Sequence, residues 1–368
     1  MKPDWKKYLL YAVTIIIGGS FLFILEETIR LKNTGFETKT LWDWMELLVI
    51  PLVLALGAFA LNRSEKKLER QNLEEHSKVE REVATDRQQE AALQAYLDRM
   101  ADLLLTNKLQ TTENAEVQNV ARIRTLTVLR GLDATRKGLV LLFLHEANLI
   151  TKQNPIVDLS GADLSDVDLS NASLRYVDLK DANLNNARLI RTSLRDATLS
   201  SANLKNADLS GAVLFSADLS KADLGDANLR LSNLSKADLH DANLHNVNLS
   251  GAILKDTNLR GTNLRGVNLS DIDLSHEVDL TSAILNGSNL SNANMSHAYL
   301  EHASLTDANL RGIKLHSADL SYADLRESDL SDADLTNANL LGAKVDKKQL
   351  AAVKSLNGAI MPDGTVHE

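Results

Sequence analysis

Six aspartates, Asp158, Asp178, Asp218, Asp238, Asp279 and Asp319, are separated by multiples of twenty residues, with one extra residue entering between Asp238 and Asp279. In a chain that coils every twenty residues they would form one column of carboxylates, about 4.8 Å apart where adjacent. Like charges at that spacing repel, so the column is either a negative stripe for a basic partner or a cation, or a position that simply prefers Asp and Asn. Two histidines, His276 and His297, stand one coil apart if the extra residue falls after His276, with Glu277 beside the first. They are candidate metal ligands, but a zinc site takes three or four ligands in fixed geometry, so no metal or cofactor is assigned. The sequence has no glycine-rich phosphate loop, H-E-x-x-H pair, G-x-S-x-G elbow or paired cysteines. The expectation is a chain without catalytic activity.

What must position these residues is a period of five. From Leu159 to Leu274, and after a slip near 275–277 from Leu280 to Val345, an apolar centre recurs every fifth residue. There are 38 centres, all leucine except Met295 and Val345, and two residues before each sits a small residue, usually alanine. Five matches neither the helical period nor the alternation of a flat strand. It suits short extended sides joined by tight corners, each side sending one large and one small residue inward. Four sides close a coil of twenty residues, and stacking coils at the strand spacing gives roughly nine and a half coils and a rod about 45 Å long. The unit A-(D/N)-L-x-x, as in Ala182-Asn183-Leu184-Asn185-Asn186, resembles the pentapeptide-repeat family. That resemblance covers about half the chain and implies an all-β fold, a right-handed quadrilateral β-helix.

Composition fits a narrow core. Only 4% of residues are aromatic, and the absence of cysteine excludes disulfides. Of the net charge of −9, residues 157–345 carry 26 acidic against 16 basic side chains, a balance of −10. That acidity argues against direct nucleic-acid binding by the rod.

The N-terminal region has a different character. Tyr8 to Leu25 is uncharged and largely apolar, and a second apolar stretch covers about 44–61. Both have the length of a membrane span. Trp5, Tyr8, Trp42 and Trp44 sit at their edges, where interfacial aromatics belong. A cleaved signal peptide fits less well, because Glu26-Glu27 follow the first stretch without a small-residue cleavage site. Lys2, Lys6, Lys7, Arg63, Lys66, Lys67 and Arg70 flank the pair, against Arg30, Lys32 and Lys39 in the connecting loop. The excess places both termini in the cytoplasm, with residues 1–61 anchored in the inner (cytoplasmic) membrane.

Residues 62–90, dense in charge, read as a helical stalk. Residues 91–156 carry broad apolar faces and read as a helical domain covering the first coil, with Asp133 capping its last helix. Residues 346–368 read as a C-terminal cap and tail. A two-span anchor and helical domain before the pentads is similar to a membrane-anchored bacterial subgroup of the family, which implies architecture and no chemistry. The function expected is a membrane-anchored scaffold for an unidentified protein partner. The alternative, implied by soluble members that mimic DNA, is an acidic rod that binds a topoisomerase such as gyrase.

Overall fold

The computed structural model describes residue 19 and residues 50–111, 114–275 and 278–368. The chain divides into two compact units, Met1–Thr85 and Asp86–Glu368.

In the second unit the described pentads up to Leu340 each build one side and one corner, and the last centre, Val345, leads into a short helix. The leucine carbonyl accepts the amide of the small residue three positions on, as in Ala162 to Leu159 at 2.9 Å and Ala187 to Leu184 at 3.0 Å. The third residue of each such turn has positive φ, 58° at Asn186 and 60° at Asp226, while the one before it does not. That is a type II turn, which admits Gly, Asn and Asp at its third position with little strain. It accounts for the asparagines, aspartates and glycines that recur two residues after the leucines.

Along each side the residue before the leucine pairs in parallel with its counterpart twenty residues on, as in Asp163 to Asn183 to Asn203. The Leu164 amide donates to the Asn183 carbonyl at 2.8 Å, and the Asn183 amide donates back to the Ala162 carbonyl at 2.9 Å. Stacked coils therefore satisfy each other's backbone. Across the slip the offset becomes twenty-one, with Asn258 to Asp279 and Asp273 to Asn294, and beyond it returns to twenty at Asp279 to Tyr299. Leucines and alanines such as Leu184, Ala182, Leu224 and Ala222 are fully buried in the core. Where a hydroxyl replaces the alanine it donates to a backbone carbonyl, as Thr192 does to Leu169 at 2.7 Å and Ser288 to Leu285 at 2.6 Å. No buried hydroxyl is thereby left without a partner at these positions.

Helices cover the first coil. Helix α1 spans Ile50–Leu105, α2 spans Ala115–Leu129 and α3 spans Ala134–Glu146. Asp133 caps α3, accepting the Arg136 amide at 2.9 Å. Met100, Leu129, Val140, Leu141, Leu144, Leu149 and Ile150 are fully buried and continuous with the rod core. The cap also satisfies exposed strand edges: the Asp178 amide donates to Ile150 at 2.8 Å and the Asp168 amide to Ala134 at 3.2 Å. Gly138 lets α3 approach, since a Cβ there would stand 2.5 Å from the Asp168 carbonyl oxygen. At the other end, α4 (Lys347–Ala351) carries a capping box between Asp346 and Gln349. Gln349 Nε2 donates to the carbonyls of Leu325 and Ser328, and Ile360 pairs with both Asn339 and Val366, closing the last coil.

The first unit contains the start of α1. Its apolar residues are solvent-facing, with Leu54 67%, Phe59 68% and Leu61 67% exposed. No helix among the described residues is long and apolar enough to cross a membrane. The two expected spans therefore gain no support from the described residues. Apart from Gly19 the first lies outside them, and only residues 50–61 of the second lie inside. Helix α1 runs through residues 61/62 and 90/91 without a break.

Candidate interaction surface on the rod

Asp178, Asp218, Asp238, Asp279 and Asp319 share one bridging column, whereas the Asp178 amide donates to the Ile150 carbonyl and leaves Asp158 outside that ladder; all six make the same local bond. Their Oδ1 atoms accept the amide two residues on: Ser160 at 2.8 Å, Lys180 at 3.1 Å, Ser220 at 3.0 Å, His240 at 3.1 Å, Thr281 at 2.9 Å and Ser321 at 2.9 Å. Aspartates on other faces, such as Asp168 and Asp329, do likewise through Ser170 and Ser331. The bond is an Asx turn that sets up the corner, so it belongs to the position and to every face. Several of the charges are also engaged. Asp158 pairs with Arg122 at 3.1 Å, and Asp238 accepts from His240 Nδ1 and Asn258 Nδ2, each at 2.9 Å. Partial burial would raise the Asp158 carboxyl, but the bonds from Ser160 and the Arg122 charge outweigh it and hold the group below its ordinary range. Hydrogen bonds from Ser170 do the same for Asp168, on a different face.

The histidine pair does not come together among the described residues, because His276 and Glu277 lie outside them. His297 instead packs edge-on to His316, ring centroids 5.6 Å apart. No group of three or more His, Cys, Asp or Glu suited to a metal occurs among the described residues.

A different face carries the unusual surface. Its bridging column reads Ser173, Ser193, Val213, Asn233, Ile253, with no acid over five coils. Val213 and Ile253 are exposed, at 37% and 54%. Beside them Leu231, 58% exposed, occupies a corner position at φ 59°. A left-handed conformation in a branched aliphatic residue is strained, and no other leucine, isoleucine or valine has positive φ among the described residues. The side chain lies over Gly251, where a Cβ would meet Leu231 Cδ2 at 2.8 Å. On the same face the Phe215 ring sits between Arg195, 4.5 Å from its centroid, and Lys236, 5.9 Å away. Arg191 and Lys255 occupy neighbouring positions, and the acids there are Asp196, which pairs with Arg195 at 3.3 Å, and Asp256. The face is thus apolar and basic on a rod that is acidic overall.

Sequence reasoning fixed on the regular aspartates and missed this face. The available signal was the irregularity: Val213 and Ile253 where the pattern wants Asp or Asn, and Leu231 where it wants a residue that tolerates positive φ. Another exposed exception, Ile284, follows Asn263 in a different column.

The family described as Pentapeptide repeats matches the chain in eight copies over residues 157–271 and 276–347. Among solved structures, HetL, a pentapeptide repeat protein involved in heterocyst differentiation regulation from the cyanobacterium Nostoc sp. strain PCC 7120, is 32% identical. The match covers 62% of this chain and 98% of HetL, with a TM-score of 0.26. Rfr23 from the cyanobacterium Cyanothece 51142 is 35% identical over 29% of this chain and 70% of its own, TM-score 0.21. Full-length QnrB1, a plasmid-mediated fluoroquinolone resistance protein, is 18% identical over 53% of this chain and 92% of its own, TM-score 0.22. No curated protein matches the chain.

Proposed function

This chain belongs to the pentapeptide-repeat family, and from that premise we propose that it is a non-catalytic scaffold, anchored at the inner membrane by its N-terminal region, that binds a protein partner along its rod. The observation that carries the reading is the exposed cluster of Val213, Leu231 and Ile253 bordered by Arg195, Lys236 and Lys255. Apolar side chains ringed by charge, with one held in strain, are what a protein docking site offers. Cationic neighbours favour a partner whose contacting surface is acidic. The anchor is supported by the uncharged stretch from Tyr8 to Leu25 and by the solvent-facing apolar start of α1.

The test is crosslinked capture from native membranes by the full chain, by an Ile253→Glu/Lys236→Glu variant and by a chain lacking residues 1–61. The scaffold reading expects one protein retained by the full chain and lost by both others. Recovery of a topoisomerase by the full and the shortened chain alike, insensitive to the Ile253→Glu/Lys236→Glu change, would replace it with the acidic DNA-mimic reading.

A further inference from the structure

Immediately after the apolar start of α1 the helix changes character. Ile50 to Leu61 contains no charged residue, and Arg63, Lys66, Lys67 and Arg70 follow. Their spacing of three, four and seven places all four on one face. At about 100° per residue, Glu65 and Glu69 fall on the other side of the helix, so the two signs are separated around its axis. All four basic side chains are exposed, and none has a carboxylate within ion-pair distance among the described residues. The first ion pair along α1 is Lys78 with Glu82, at 3.9 Å. Phe59 and Asn62 lie on the same face, and the six residues together border one open concavity of the surface.

Apolar helix followed within one turn by a one-sided row of unpaired cations matches the layering of a bilayer leaflet, hydrocarbon and then phosphate. Guanidinium and ammonium groups bind phosphate oxygens through charge-assisted hydrogen bonds, and each basic residue near an anionic surface adds to the attraction. We propose that Arg63, Lys66, Lys67 and Arg70 form a binding site for the headgroups of anionic phospholipids. The site rests on the membrane reading above and adds lipid selectivity to it. The apolar stretch supplies attachment, and the basic row selects the leaflet composition.

The experiment uses the full chain with two kinds of vesicle, phosphatidylcholine alone and phosphatidylcholine with about one quarter phosphatidylglycerol. The wild type is expected to bind the anionic vesicles more than about tenfold more tightly, with the preference shrinking as salt is raised. An Arg63→Gln/Lys66→Gln/Lys67→Gln/Arg70→Gln variant is expected to lose the preference and keep its binding to phosphatidylcholine. Lys236→Gln/Lys255→Gln, on the rod, should leave the preference intact. Equal binding of the wild type to both vesicles, or a preference that survives in the fourfold variant, overturns the lipid site while leaving the anchor standing. So does loss of the preference in the rod variant, which would move the cationic contact to the rod. Binding to neither vesicle overturns the membrane reading itself.

Discussion

At the scale of single residues, the aspartate before each leucine acts first as an architect of its corner and only then as a charge. Asp324 shows both roles. It accepts from the Arg326 amide at 3.3 Å, is bracketed by the Arg326 guanidinium at 2.8 and 2.6 Å, and has Lys344 at 3.5 Å. The Arg326 hydrogen bonds outweigh burial and hold its pKa at about 2. A carboxyl whose native pKa lies below its unfolded value of about 4 contributes stability that is complete above that pH and lost as pH falls towards 2. Because Arg326 and Lys344 are each 63% exposed, solvent screening reduces the contribution to about 1 kcal/mol. Asp324→Asn keeps the turn-forming oxygen and removes the titration. Urea midpoints followed from pH 6 to pH 2 should therefore fall less in the variant, with the two curves converging at the acid end. Leu231 supplies the opposite experiment, because its left-handed backbone costs stability. Leu231→Asn should raise stability by about 1 kcal/mol, read as a higher melting temperature, and weaken partner capture. A lower melting temperature would show that the leucine packs more than it strains.

At the scale of elements, the rod depends on its ends. Helix α3 closes the first coil through a close approach that only a glycine permits at position 138, together with the Asp168 amide bond to Ala134. Gly138→Ala should push the helix off the coil and cost about 1–3 kcal/mol in urea unfolding, even though alanine is the better helix former. An unchanged midpoint would mean that the cap is not coupled to the coil. The pentads could be read from sequence because their rule is local: a leucine, a small residue and a turn residue each declare their role within five positions. The slip could also be read, since the offset of twenty-one leaves the inward residues inward. The cap helices declared only their apolar faces and the Asp133 cap. A sequence divided by charge density at 61/62 and 90/91 sees separate pieces, yet the α1 backbone continues through both points, and Asn62 lies inside the helix although its type suits an N-cap. The candidate site was hidden for a related reason. Val213 and Ile253 are forty residues apart, and only stacking in register through Asn233 brings them onto one face.

At the scale of the whole molecule, repetition makes a surface whose meaning lies in its departures from the repeat. Asx turns are the background that the corners impose on all four faces. The Val213–Leu231–Ile253 cluster and the row from Arg63 to Arg70 are local exceptions, one in each unit. Under the two proposals above, the first would contact a protein and the second a lipid surface. The most direct test places a photo-crosslinking side chain at position 253 of the full chain, or at exposed position 226 on another face, and irradiates native membranes. The account predicts one discrete crosslinked protein from position 253 and none from position 226. An equal yield from both positions, or a product from 226 alone, would contradict the assignment of this face as the docking surface.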